Sequence, residues 1–500
     1  MIDRARFPRS RAPAVRHFKR HIMLRTIVIT LFTASLELSA CAGDATTSPA
    51  ALNTPTVTPI TEPIAVLSAN GTQAAMVGVP FAYDATKAGT VFSDPRKSGL
   101  TYTVSFTPAV TGMTAANGTI TGTASNPGVY TVTISARDNS GSSASHSFTI
   151  VVFAGDLTAP TLPANAALYS DASNPLPRHF FQAAPNAGSP IGADNTPASN
   201  ITTNAGATLG RVLFYDRRLS VNDRVSCSSC HQQQFAFSDT ARLSRGFLGG
   251  VTGRHSMGLA NARFYANRRF FWDERAASLE AQVLQPIQDG TEMGLTLPNA
   301  MAKLSATTYY PALFNAAFGS AEITSDRVGL ALSQFVRSLV SVNSKFDRAF
   351  GANGVPNFAA AFTAQELAGQ NLFNGRAGCA RCHGTNAHIG DDAHNTGLDA
   401  TITDVGAGTG RFKSPSLRNI AVRPPYMHDG RFQTLAQVVA FYDSGVQNNP
   451  GLDNRLRGPG GQPLRLNLSA AERASLVAFL GTLTDNTFLT DVRLSNPFAR

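Results

Sequence analysis

Two runs of the form C-x-x-C-H constrain this chain more than anything else in it: Cys227-Ser228-Ser229-Cys230-His231 and Cys379-Ala380-Arg381-Cys382-His383. In this pattern two thiols form thioethers to one porphyrin, and the adjacent imidazole coordinates its iron from the proximal side. The spacing predicts two covalently bound c-type haems, one on Cys227 and Cys230 and one on Cys379 and Cys382, with His231 and His383 as proximal iron ligands. The alternative is a four-cysteine zinc site. Zinc knuckles usually bring their cysteine pairs within a few tens of residues of each other, and a His directly after both pairs would then be coincidence.

Of five cysteines, four lie in these motifs, so no pair remains for a structural disulfide. The fifth, Cys41, reads as part of an export signal. From Met23 the chain has one Arg, an apolar run from Ile27 to Leu36, and then Leu38-Ser39-Ala40-Cys41, which resembles the lipobox of bacterial lipoproteins. The run is too short to span a bilayer, so residues 1–41 are expected to be a signal peptide, with lipidation of Cys41 after cleavage. The alternative is a stray cysteine beside a non-lipidated signal. The basic stretch before Met23 (Arg4, Arg6, Arg9, Arg11, Arg16, Lys19, Arg20) reads as an extended n-region or as the product of a start codon placed too early. Much of the net charge of +10 lies there, and the rest has no Lys/Arg run interleaved with aromatics, so a nucleic-acid partner is not expected.

At 500 residues the chain is longer than one core usually serves. Residues 42–62, rich in Thr, Pro and Ala, read as a disordered tether. Over 63–153 the pattern has period two: Tyr130, Val132, Ile134 and Ala136 alternate with Thr131, Thr133 and Ser135, and a turn follows at Asp138-Asn139-Ser140-Gly141. This predicts an antiparallel β-sandwich, and its Gly-punctuated strands resemble the Ig-like or cadherin-like modules of bacterial surface proteins. The module carries no catalytic cluster and reads as a spacer or adhesion element, with ligand binding as the alternative. A Pro/Ala/Asn-rich linker is expected over 154–200. Beyond it, capping-box patterns at Thr363 to Glu366 and Ser469 to Glu472, and an amphipathic stretch over 326–342, predict helices. The fold class is therefore multidomain, with two small all-α cytochrome c-like haem domains, 201–345 and 346–490, after an all-β Ig-like sandwich and a lipoprotein signal.

The region from Leu209 onward resembles the bacterial dihaem cytochrome c peroxidase and MauG-like family. The matching stretches are Leu209 to Phe214, Phe271-Trp272-Asp273-Glu274-Arg275-Ala276-Ala277, Ser414-Pro415-Ser416-Leu417-Arg418-Asn419, and Pro425-Tyr426-Met427-His428-Asp429-Gly430. The resemblance implies a peroxide haem on His231 and an electron-transfer haem on His383, with Trp272 between them. It also implies that Gln282 and Glu292, which follow Trp272 by 10 and 20 residues, flank the peroxide site with Pro286 between them. A carboxylate beside an amide can move a proton between peroxide oxygens. Without the spacing, Gln282 and Glu292 would read as solvated residues and Trp272 as core packing.

Gated peroxidases of this family carry a His that blocks the peroxide haem until the other haem is reduced. Between His231 and Trp272 the only His is His255, which aligns better with the family's calcium-binding Asn. The His231 haem is thus expected to be five-coordinate, and calcium becomes a weak expectation because imidazole suits a hard cation poorly. For the second haem the resemblance places the distal iron ligand 14 residues after His428, at Tyr442, with Met427 as the competing ligand and His428 close by. Leu435, Val438, Val439 and Tyr442 share a helical face, so a core tyrosine is the alternative.

The leading expectation is a c-type peroxidase on the periplasmic side of the envelope, an outer-membrane lipoprotein held by its lipid anchor only. It would reduce hydrogen peroxide with electrons from a small donor such as a monohaem cytochrome c or a cupredoxin. The alternatives are a MauG-like oxidase that modifies a protein partner through high-valent iron, and a non-catalytic dihaem electron-transfer protein.

Overall fold

The period-two segment folds as two sheets facing each other. A computed structural model of the chain describes residues 63–498 except 98, 127, 154–158, 163–167 and 186; the expected signal, Cys41 and the tether lie outside the described residues. One sheet has the order β1 (Gln73–Met76), β7 (Ser143–Phe153), β6 (Gly128–Arg137), β3 (Thr101–Thr107), with β1 parallel to β7 and the other pairs antiparallel. The other has the order β2 (Pro80–Asp84), β5 (Thr119–Thr123), β4 (Met113–Ala116). Register decides which face is buried, because successive side chains point to opposite sides. Val132 pairs with Phe148 and Ile134 with His146, which sends Val132, Ile134, Phe148 and Ile150 into the core. The opposite face is almost wholly Ser and Thr, with Thr133 and Ser147, and Ser135 and Ser145, joined by hydroxyl hydrogen bonds of 2.9 and 2.7 Å.

The rest is helical, in two domains built on the same pairing. In the first, helix Asn204–Tyr215 packs on helix Ser325–Ser338; in the second, helix Ala364–Asn374 packs on helix Ala470–Gly481. Each crossing turns on a glycine. A Cβ on Gly210 would lie 1.9 Å from the Ala331 carbonyl oxygen and 2.8 Å from Phe335 Cβ; one on Gly369 would lie 1.9 Å from the Ser475 carbonyl oxygen and 2.9 Å from Phe479 Cβ. The backbones meet where neither can carry a side chain. Both expected capping boxes form: Glu366 accepts from the Thr363 N–H at 2.7 Å, and Glu472 from the Ser469 N–H at 2.8 Å.

Two segments pack more tightly than their composition suggests. The expected linker, 154–200, supplies His179 and Phe180 to the interior. His179 Nε2 lies 2.8 Å from Asp347 Oδ1, and Asp347 is gripped by Arg418, whose Nη2 donates to Oδ1 at 2.8 Å. Three distant parts of the chain are thereby joined through one buried carboxylate. The C-terminal tail also returns to the first domain: Tyr215 donates its hydroxyl to the Leu494 carbonyl (2.7 Å), Arg211 Nε donates to the Ser495 carbonyl (2.7 Å), and Phe488 meets Phe237 edge-on. By packing, the second domain ends near Leu483, since Phe488 and Leu494 belong to the first domain's core.

Gly369→Ala and Gly210→Ala are each expected to lower unfolding stability by about 1–3 kcal/mol through overpacking. Gly481→Ala, where nothing lies within 4 Å of the new Cβ, should be neutral or slightly stabilising. Denaturant unfolding of the three variants measures the contrast.

Candidate functional site

Each C-x-x-C-H run opens into its own cavity. The first, about 490 Å³, is lined by Cys227, Cys230, His231, Gln282, Pro286 and Glu292 among others; the second, about 220 Å³, by Cys379, Cys382, His383, Met427, His428 and Tyr442 among others. Separation into two cavities rules out one zinc site shared by the four cysteines, which would need them within bonding distance of a single ion. The donor set suits haem. Cys227–Cys230 forms a single helical turn held by a Ser226/Ser229 capping box, which brings both thiols to one side. His231 Nδ1 donates to the Phe237 carbonyl at 2.9 Å, fixing the tautomer whose other nitrogen is free to bind a metal. Burial lowers the pKa of His231 and holds that of His383 at about 4, so both imidazoles are neutral, the form a metal requires.

The first cavity is polar on one side. Gln282 lies on the short helix Leu279–Val283, which starts at Ser278, whose hydroxyl accepts from the Ala281 N–H at 3.2 Å. Glu292 follows in a turn held by Asp289, which accepts the Glu292 N–H at 3.1 Å. Burial raises the Glu292 carboxyl above its ordinary value; Asp289 adds to this and the Arg275 guanidinium opposes it. Arg275 also lines this cavity, over the Phe271 ring and 2.9 Å from Asp273.

His255 does not reach out as a blocking ligand would. Its Nδ1 lies 3.1 Å from the Ala241 carbonyl and its Nε2 3.3 Å from the Ser238 hydroxyl, so both ring nitrogens are engaged within the protein. Nor do the residues there suit calcium. The imidazole is held neutral by burial, and the buried Arg423 guanidinium, which donates to the Ser416 carbonyl, depresses its pKa further and would repel a cation.

The second cavity is lined mostly by apolar side chains, with Leu435, Val438, Val439, Leu456 and Leu476 among them. Tyr442 enters it where helix Leu435–Ala440 widens into a π-turn over Phe441–Gly445, a local under-wound ladder often found at functional positions. Burial pushes the Tyr442 phenol up and out of the range in which it ionises in water. Met427 reaches the same cavity from a residue in left-handed backbone (φ 74°), inside a turn closed by the Tyr426–Phe432 bridge. His428 stacks on Phe412 with ring centroids 3.6 Å apart.

Four residues, His255, Trp272, Lys413 and Pro415, line both cavities. They form a wall stitched by three hydrogen bonds. The His255 N–H donates to the His428 carbonyl (2.8 Å), the Trp272 indole N–H to the His255 carbonyl (2.7 Å), and the Lys413 N–H to the Trp272 carbonyl (2.8 Å). Arg254 closes its edge by bridging Asp273 (2.6 Å) and Asp404 (2.7 Å). Sequence reasoning found Trp272 and missed Arg254, Arg275, Lys413 and Arg423. Arg275, Lys413 and Arg423 lie in or just before matched motifs and Arg254 beside none, and spacing alone could not assign any of them to a partner.

Comparison with known proteins follows the same division of the chain. A family model for di-haem cytochrome c peroxidase matches residues 204–354, one for cytochrome c matches 367–484, and one for an Ig domain matches 63–153. The methylamine utilization protein MauG of Methylorubrum extorquens is 36% identical over 305 residues, covering 57% of this chain and 80% of that protein. Cytochrome c551 peroxidase of Nitrosomonas europaea is 33% identical over 294 residues, covering 56% of this chain and 79% of that protein. Among solved structures, a MauG-like protein associated with microbial copper homeostasis superposes with a TM-score of 0.54 at 29% identity, covering 65% of this chain and 99% of the other.

Replacing Cys379 and Cys382 by Ser should reduce covalent haem from two per chain to one while the His231 site stays loaded. Intact-protein mass and a haem-to-protein ratio measure this.

Proposed function

Because the chain belongs to the dihaem cytochrome c peroxidase and MauG family, and so carries two covalent c-type haems, we propose that it reduces hydrogen peroxide at the His231 site with electrons that enter through the His383 site. The observation that carries this reading is the pairing of Glu292 with Gln282 in the first cavity. The haem supplies the iron at which peroxide is reduced. Glu292 accepts a proton from one peroxide oxygen and returns it to the other, and the Gln282 amide holds the substrate in place by hydrogen bonding. Two electrons and two protons convert one peroxide to two waters, and Trp272, the aromatic side chain common to both cavities, is the residue we assign to carry those electrons. A small periplasmic redox protein is the donor we propose, with lipidation at Cys41 tethering the enzyme to the envelope.

His255 bears on how the site is gated. With both its ring nitrogens bonded to the protein, the first site needs no reductive step to open. The as-isolated ferric protein should then give a high-spin electron paramagnetic resonance signal beside a low-spin one, and react at once with one equivalent of peroxide. Two low-spin signals and no reaction before reduction would favour a gated peroxidase or a non-catalytic electron carrier.

Tyr442 supports a second reading, an oxidase acting on a protein partner. A phenolate on the second iron would favour its oxidised state and so favour stored oxidising power over electron entry. Tyr442→Phe should change the spectrum of one haem and leave both covalently attached; an unchanged spectrum would assign the position to Met427.

Glu292→Gln is expected to lower peroxide turnover by about 10²–10⁴-fold with haem content unchanged. Because burial raises this carboxyl, the acid limb of the wild-type pH profile should lie above 4.5, with the rate falling as pH drops and Glu292 becomes protonated. The variant should lack that limb. Turnover within a few-fold of wild type would overturn the assignment.

A further inference from the structure

Lys413 is a buried lysine that, among the described residues, forms no ion pair. It lies in the short antiparallel pair formed by Ala393–His394 and Phe412–Lys413, and the residue is 4% exposed. Its Nζ donates to the Arg269 carbonyl at 3.1 Å and sits over two rings, 3.9 Å from the Tyr265 centroid and 4.3 Å from that of Phe270. Among the described residues no carboxylate lies within ion-pair distance. Glu274, whose field reaches it, is already held by the Tyr265 hydroxyl and by Asn267 at 2.8 Å. Burial brings the ammonium down to about 7. A charge in such a place costs several kcal/mol unless an anion accompanies it, and an unbranched apolar side chain would fill the space without that cost. The position is therefore hard to explain by packing alone.

The place of Lys413 in the fold narrows what the charge is for. Of the four residues common to both cavities, Pro415 and Trp272 carry no charge and His255 is held neutral by burial. The other cations behave differently. Arg254 and Arg275 line only the first cavity and are paired with Asp404 and Asp273, and Arg423 lines only the second. Each porphyrin would bring two carboxylates, and Lys413, whose ammonium packs on Phe270 of the first cavity, is the one basic residue that the shared wall supplies to meet them.

We propose that Lys413 is the electrostatic element shared by the two haem sites: its ammonium supplies the countercharge for a porphyrin carboxylate at the common wall and raises the reduction potential of both haems. A porphyrin carboxylate beside Lys413 would keep the ammonium protonated, and a positive charge favours the reduced iron, the less positive state, most strongly where water is excluded. Lys413 is thus a positioning residue, acting on the haems without entering the proton transfer assigned to Glu292 and Gln282.

The test is a spectropotentiometric titration of the dihaem protein with Lys413→Met and Lys413→Arg beside wild type. Met keeps an unbranched side chain against Tyr265 and Phe270 and removes the charge; Arg keeps the charge. Both midpoint potentials should move negative in K413M and stay near wild type in K413R. Unchanged potentials in K413M, a shift of one haem only, or an equal shift in K413R would overturn the proposal. If K413M acquires fewer than two haems while K413R acquires both, the charge is again what the site requires; equal haem loss in the two variants would make Lys413 a packing residue. The readout is a potential and needs no peroxide turnover, so its failure would leave the peroxidase reading standing, and failure of that reading would leave this one.

Discussion

Trp272 is held at both ends, and the arrangement of the two cavities depends on that. Its indole N–H is taken by the His255 carbonyl and its own carbonyl by the Lys413 N–H, from segments about 160 residues apart in the chain. A buried indole N–H or carbonyl left unpaired would cost about 1–3 kcal/mol, so the ring is fixed by bonds that cannot cheaply be exchanged for water. His428 lies edge-on to Trp272 at 6.5 Å and stacks in turn on Phe412, the neighbour of Lys413. The wall between the sites is thus one layer of side chains thick. Charge passing from one cavity to the other has no bulk solvent to cross.

Two domains with one backbone plan have become chemically unlike. The glycine crossings at Gly210 and Gly369 repeat almost atom for atom, and each sets a C-x-x-C-H run at the mouth of a cavity. What differs is the distal lining. The first cavity brings the Glu292 carboxyl, the Gln282 amide and the Arg275 guanidinium together, whereas the side of the second around Tyr442 is chiefly Leu and Val, with the thioether of Met427 and a second phenol, Tyr426. Polar groups that can handle protons suit bond cleavage, and a mostly apolar, water-poor lining suits electron transfer with little reorganisation. The two cavities are thus told apart by their linings more than by the helix pairs, which pack alike.

Holding two such domains at a fixed separation falls to buried charge. Asp347 joins His179, Ser344 and Arg418, and Asp485 accepts from the N–H groups of Val342 and Asn343 and from the Ser341 hydroxyl at the junction between the domains. Removing one partner from such a network typically costs about 3–5 kcal/mol, because the remaining charge stays buried. The tail that docks Phe488 beside Phe237 adds an apolar clamp from the far end of the chain.

The sequence by itself determined the haem attachment positions, the two capping boxes, the strand alternation of the Ig-like module, and the candidates Trp272, Gln282, Glu292 and Tyr442. The attachment runs, capping boxes and strand alternation are local patterns set by covalent geometry and by helix or strand periodicity, whereas the four candidates are legible only through the resemblance to the family. Only the tertiary structure decided that the segment before residue 200 is partly core, that the tail belongs to the first domain, that His255 spends both ring nitrogens on the protein, and that Lys413 stands in the wall between the cavities. Each depends on which distant groups meet, as with Arg254 and Asp404 or His179 and Asp347. Periodicity carries no record of such meetings, because the desolvation and hydrogen-bond energies that select them arise only once the chain is folded.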